Sequence, residues 1–253
     1  MVAAATGLNS KIGPCLWGKV TSYGHESDMP KIKLTREHLL KDNDQDWAER
    51  FSGHEDVMTP RERAEALRAA QQAVPDRDNV WVFGYGSLIW NPALDYTNSA
   101  VARIYGYRRA FCLRSHIGRG TRECPGLMLG LDRGGSCVGL ALKLPAPSVN
   151  QELDLLFKRE MLTRIYHPTW VKAHIGSEVR HAITFVVDRS NARYVSGLPP
   201  QQGARMIREA KGRLGPCHEY LLDTERALKK LGIRDRTVED MARRVREELE
   251  AQR

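Results

Sequence analysis

The chain has 253 residues, 42% of them hydrophobic, and a formal charge of +8 from 39 Lys and Arg against 31 Asp and Glu. That suits one domain of ordinary size, or a domain with an arm, and is enough for a real core. With 21 Gly and 12 Pro it is neither collagen-like nor low-complexity, and it lacks the run of about 18 apolar residues that would span a bilayer.

Residues 1–17 lack the basic start and solid apolar stretch of a secretory signal. Residues 1–29 are mixed and aperiodic, and are expected to form a poorly ordered arm. Organised sequence begins at 31–42, which makes Met29 a candidate start. Thr59-Pro60 then announces a helix over 60–73, with Thr59 as N-cap, Pro60 in the first turn and Glu62 completing a capping box. The apolar run Val80-Trp81-Val82-Phe83, followed by Gly84, predicts a strand entering a tight loop. Residues 101–113 read as a second strand. Val138, Leu140, Leu142 and Leu144 alternate with small or polar residues in a third, which ends at Pro145. Strands over 170–175 and 181–187 follow. Beyond Pro199-Pro200, helices are expected over 201–213, 219–231 and 238–252, the last with Thr237 as N-cap and Asp240 three residues on. Strands fill the middle and helices the ends, which is an α+β arrangement without βαβ alternation. The division is an N-terminal arm, 1–79, partly disordered and carrying one helix, and a domain over 80–253.

Five scattered cysteines, Cys15, Cys112, Cys124, Cys137 and Cys217, predict free thiols in a reducing cytoplasm and offer no Cys-x-x-Cys pair for zinc. The eight histidines show no zinc-binding spacing. Cys112 lies in an expected strand and reads as a buried thiol, not a nucleophile. Charge is uneven: residues 1–80 sum to −2 and residues 81–253 to +10. Arginines 103, 108, 109, 114, 119 and 122 form a stretch without an acid. Such a cluster suits nucleic acid, the carboxylates of a small substrate, or a solvated strand face. Zinc-finger spacing, basic heptads and an aromatic RNA-binding signature are all missing.

The segment Val82-Phe83-Gly84-Tyr85-Gly86-Ser87-Leu88-Ile89-Trp90-Asn91-Pro92 is the most distinctive. Its glycines permit positive φ and close backbone approach, and successive N–H groups could form an anion nest to which Ser87 adds a donor. A plain hairpin turn is the competing reading. The segment lacks the ending of a phosphate loop, the third glycine of a dinucleotide fingerprint, and the Gly-x-Ser-x-Gly elbow. Residues 151–165 read as a helix, on which Leu153, Leu156 and Phe157 form one stripe. Glu160 follows Leu156 by four residues and points from the middle of that stripe. An interior carboxyl group is harder to ionise and is a better base near neutral pH. An ordinary ion pair with Arg164, one turn on, is the alternative, and both can hold.

The run Phe83-Gly84-Tyr85-Gly86-Ser87-Leu88-Ile89-Trp90 resembles the signature loop of the ChaC-like γ-glutamylcyclotransferases. The resemblance continues through Gly106-Tyr107-Arg108-Arg109, Arg119-Gly120-Thr121, Pro125-Gly126-Leu127, Lys158-Arg159-Glu160-Met161, Tyr194-Val195-Ser196-Gly197-Leu198 and Glu219-Tyr220-Leu221. It covers about residues 80–250 in order. It implies a mixed β-barrel or sheet flanked by helices, with the N-terminal extension outside it. It implies a lyase that cyclises the γ-glutamyl group of glutathione to 5-oxoproline and releases cysteinylglycine. Glu160 would be the general base; Val82, Phe83, Gly84, Tyr85, Gly86, Ser87, Leu88 and Arg109 would bind substrate. Neither cofactor nor metal is expected, nor nucleic acid, nor a membrane; a monomer or weak dimer is. The alternatives are a cyclotransferase for other γ-glutamyl amino acids or amines, and a basic nucleic-acid-binding module on the same fold.

Overall fold

The structure is a computed structural model and describes residues 34–41 and 56–251. The expectations for residues 1–29, including the start at Met29, lie outside the described residues.

The apolar runs of the middle segment form β1 (Trp81–Gly84), β2 (Asn98–Ser115), β3 (Gly126–Lys143), β4 (Tyr166–Ile175) and β5 (Glu178–Val187). They close into a barrel in the order β1-β3-β2-β4-β5, and β1 returns parallel to β5. Closure removes the exposed sheet edges that an open arrangement would leave. β2 and β3 are longer than expected because they pair along their whole length, with register shifts at Tyr105/Tyr107 and Phe111/Leu113. The first half of β3 is rich in glycine, so no clean alternation announces it.

The two-residue period of β1 divides its side chains. Trp81, Phe83 and Tyr85 join one buried cluster with Ile104, Leu131 and Val186. Val80 and Val82 join another, which contains Leu153, Leu156 and Phe157. Those three lie on helix α3 (Val149–Glu160), so its apolar stripe packs against the barrel wall as expected. Helix α3 stops at Glu160, five residues earlier than predicted. The chain after it is drawn away by a bridge between Val57 and Thr163.

Upstream are the short α1 (Arg36–Lys41) and α2 (Pro60–Gln72). The capping box of α2 is present: Thr59 Oγ1 accepts from the Glu62 amide at 3.2 Å, and Glu62 accepts from the Thr59 amide at 2.8 Å. Leu39 and Met58 are buried in the α3 cluster. The described part of the 1–79 extension thus packs into the core. Downstream, α4 (Pro200–Glu209), α5 (Cys217–Lys230) and α6 (Arg236–Glu250) pack with Leu127 and Leu129 of β3. Helix α6 is capped by Asp235, which accepts from the Val238 amide at 3.1 Å, instead of by Thr237.

Cys112, Cys137 and Cys217 are buried free thiols. Burial pushes Cys112 up to about 12, so it is no nucleophile. Cys124 is disulfide-bonded, which corrects the all-thiol expectation; no spacing in the sequence announces it. Among the described residues no helix is long and apolar enough to cross a membrane.

Glu62 caps α2 and also pairs with Arg164 at 2.6 Å. The Arg164 guanidinium and the Thr59 amide hold the Glu62 carboxyl at about 2, below its ordinary 4.5. A depressed carboxylate stabilises the fold above its unfolded pKa, and that contribution is lost as pH falls from about 4.5 towards 2. Glu62→Gln is therefore expected to lower Tm at pH 6–7, with the gap to the parent closing as pH falls towards 2 in a thermal-melt series.

Candidate active site

A cavity of about 260 Å³ opens where β1 and β2 end and β3 and β4 begin. β1 delivers Tyr85, Gly86, Ser87 and Leu88 to its wall, and the chain there turns at once into a 3-10 turn over Ser87–Ile89. Neither Gly84 nor Gly86 takes positive φ; Gly86 has φ −135°. The loop is therefore not the αL nest anticipated. The glycines serve close packing: a Cβ on Gly84 would lie 2.9 Å from Leu88 Cβ, and one on Gly86 would lie 2.9 Å from the Tyr220 hydroxyl. The first N–H groups of such a turn have no partner within it, which leaves donors at the cavity.

Glu160 reaches the cavity from the last residue of α3. Its carboxylate accepts from Arg159 Nε at 2.8 Å, and its side chain is 15% exposed. The partner expected from sequence, Arg164, instead binds Glu62 and the Val57 carbonyl. The reason is the early end of α3, because an i,i+4 pair needs a helical turn that is not there. Glu160 thus sits in a polar setting beside a cation and not in the middle of an apolar stripe. Arg159 is nearly buried, and its other nitrogens bind Ser87 Oγ at 2.9 Å and the Asn91 carbonyl.

Three tyrosines complete the wall: Tyr85, Tyr166 and Tyr220. Tyr85 donates to the Phe185 carbonyl at 3.0 Å. Burial, reinforced by the negative charge of Glu160, raises all three phenols above their ordinary value. They stay protonated at neutral pH and remain donors. Arg119, Arg159 and Arg193 all line the cavity, and Glu160 is the only carboxylate among its lining residues. Burial lowers Arg119 and Arg193 from the usual guanidinium value, yet both remain cations. Each of the three has a carboxylate partner: Glu160 lies 2.8 Å from Arg159, Asp56 2.7 Å from Arg193 and Glu219 3.8 Å from Arg119, so the wall is rich in donors with its charges paired.

Of the residues singled out from sequence, Tyr85, Gly86, Ser87, Leu88 and Glu160 line one cavity. Val82 and Phe83 are fully buried core residues, and Gly84 lies behind the wall. Arg109 does not line the cavity. Its guanidinium binds the Tyr85 carbonyl at 2.7 Å, the Val138 carbonyl at 2.8 Å and the Asp235 carboxylate. It is a buried strut joining the loop, β3 and the cap of α6. The arginine cluster is likewise dispersed by the pleat of β2: Arg103 binds Ser136, Arg108 binds Asp132, and only Arg119 enters the cavity. Arg159 and Tyr220 stood inside quoted motifs but were not read as site residues. Tyr166 and Arg193 carried no local signal at all.

A closed barrel with a small, donor-rich pocket and one inward carboxylate defines a class, the small-molecule barrel enzymes. The family model for ChaC-like protein matches residues 80–248. The chain belongs to this ChaC-like family. It is 40% identical over 211 residues to the glutathione-specific gamma-glutamylcyclotransferase of Escherichia coli (strain K12), covering 82% of this chain and 90% of that protein. It is 32% identical to gamma-glutamylcyclotransferase 2-3 of Arabidopsis thaliana, over 66% of this chain and 88% of the relative. The crystal structure of a yeast gamma-glutamyl cyclotransferase specific to glutathione shares the fold, with a TM-score of 0.62 at 21% identity, over 67% of this chain and 96% of that one.

If Arg109 is the strut described, Arg109→Met leaves Asp235 and two carbonyls without their donor. The expected loss is about 3 kcal/mol of stability in urea unfolding, the low end for a broken buried pair. Unchanged stability with weakened substrate binding would instead make it a ligand-holding residue.

Proposed function

We propose that this chain cyclises the γ-glutamyl group of glutathione, giving 5-oxoproline and cysteinylglycine, with Glu160 as general base. The observation that carries the reading is the Glu160 carboxylate, held by Arg159 in a cavity lined by arginines and protonated phenols. Glutathione brings two carboxylates, which the guanidinium and phenol donors of the wall can receive. The similarity to the Escherichia coli enzyme supports the same substrate.

The chemistry is intramolecular. Glu160 takes a proton from the α-ammonium group of the γ-glutamyl unit. The freed amine attacks the γ-carbonyl carbon and closes a five-membered ring. Negative charge gathers on the former carbonyl oxygen, where N–H groups of the Ser87 turn or the tyrosine hydroxyls act as donors. The bond from that carbon to the cysteine nitrogen then breaks as the protonated Glu160 gives its proton to that nitrogen; the carboxylate, free again, takes the second proton of the ring nitrogen and passes it on, so the lactam keeps one N–H and cysteinylglycine leaves as an ammonium. Atoms balance without water. The role of Ser87, Gly86 and Arg159 is to grip and fold the substrate so that amine and carbonyl meet. A cytoplasmic monomer or weak dimer goes with this reading; the three buried free thiols support a reducing compartment, and the disulfide at Cys124 counts against one.

Wild-type protein incubated with glutathione is expected to release 5-oxoproline and cysteinylglycine in equal amounts, while Glu160→Gln keeps its fold and loses roughly 10²–10⁴-fold in kcat. A fully active variant would remove Glu160 from the mechanism, and product from γ-glutamyl amino acids or amines but not from glutathione would change the substrate. Gly86→Ala, which pushes on the Tyr220 hydroxyl, is expected to cost roughly a hundredfold in kcat/KM with little change in Tm.

A further inference from the structure

The segment 34–41 touches the active site although the family match begins only at residue 80. Leu34 lines the cavity. Its carbonyl accepts from Asn91 Nδ2 at 3.0 Å. The Asn91 carbonyl in turn accepts from Arg159, whose Nε holds Glu160 at 2.8 Å. A continuous polar path therefore runs from the segment to the carboxylate.

The segment is anchored by an unusual group. Glu152 on α3 is fully buried, and its carboxylate receives the Arg36 guanidinium in a fork at 2.5 and 2.7 Å. The same carboxylate accepts from the Asp95 amide at 2.9 Å, and Arg36 also pairs with Asp95 at 3.0 Å. Lys158 adds a bond to the Leu39 carbonyl at 2.8 Å. A buried carboxylate is costly to keep and is tolerated where its partners satisfy it fully. Here it locks α1, the loop after the Ser87 turn and α3 to one another, and the Asn91–Arg159 junction lies between them.

We propose that Arg36 is a positioning residue for Glu160, acting through Leu34, Asn91 and Arg159. This rests on the reading of Glu160 as the base. Loosening the anchor frees the Leu34 carbonyl, then Asn91, and lets Arg159 and the carboxylate shift from the attacking amine. Such a shift acts on the chemical step more than on substrate affinity.

The test compares the full-length wild type with Arg36→Met, Arg36→Lys and the double variant Arg36→Met/Glu152→Gln, by 5-oxoproline release and by Tm. Arg36→Met leaves a buried carboxylate unpaired and is expected to lose Tm and about tenfold in kcat. The double variant removes both charges, while the carboxamide oxygen that replaces the carboxylate can still accept from the Asp95 amide; its Tm is expected to recover while kcat stays low. Arg36→Lys keeps a cation without the fork and is expected to restore kcat in part. If kcat returns together with Tm in the double variant, Arg36 is structural only and the proposal fails. If the effect falls wholly on KM, the positioning of the base is likewise refuted. A wild type that releases no 5-oxoproline would refute the functional reading itself, a result distinct from an active wild type matched by its variants.

Discussion

The guanidinium of Arg159 binds three things at once: the Ser87 hydroxyl, the Asn91 carbonyl and the Glu160 carboxylate. Those groups come from opposite sides of the cavity. The first two belong to the turn that leaves β1, and the third to the end of α3. A planar fork with fixed donor directions can hold all of them where a flexible ammonium would not. Since Arg159 is almost fully buried, its charge acts with little solvent screening. The cavity keeps its shape because this contact keeps the turn and the helix end together.

The barrel prepares the contact. Strand β1 is antiparallel to β3 on one side and parallel to β5 on the other, so its end is fixed in space before the chain reaches Tyr85. Arg109 then holds the Tyr85 carbonyl from behind, and the absence of a side chain at Gly86 lets the Tyr220 hydroxyl approach. On the facing side, Leu153, Leu156 and Phe157 seat α3 on the barrel wall and thereby set where its last residue points. The packing of apolar side chains thus decides the location of the polar groups, and the hydrogen bonds refine it.

How much of this could be read from the chain depends on the range of the physics involved. The capping box of Thr59 and Glu62 is local and was legible. So were the stripe on α3 and the distinctive loop, since each rests on spacing within a few residues; the apolar setting expected for Glu160 was not, because its carboxylate lies against Arg159 at the cavity. The partner of Glu160 was not legible, because it depends on where α3 stops, and a bridge to Val57 decides that. The cap of α6 failed in the same way. Asp235 and Thr237 are both suitable cap residues, and Asp235 also answers the buried Arg109 from another part of the chain. Arg109 itself looked like a ligand for substrate because a sequence lists charges without their partners. Tyr166 and Arg193 reach the cavity only through barrel closure and left no local trace.

Arg159 and Glu160 are consecutive residues at the end of one helix. The cation and the carboxylate therefore travel together. A change in how α3 sits on the barrel, through a larger or smaller residue at Leu153 or Leu156, would carry the pair towards or away from the loop without separating its members. The distance over which the carboxylate must reach and the charge that accompanies it are thus set by different parts of the molecule. Evolution could adjust the depth of the site for longer or shorter substrates by repacking beneath the helix, leaving the reacting pair itself untouched.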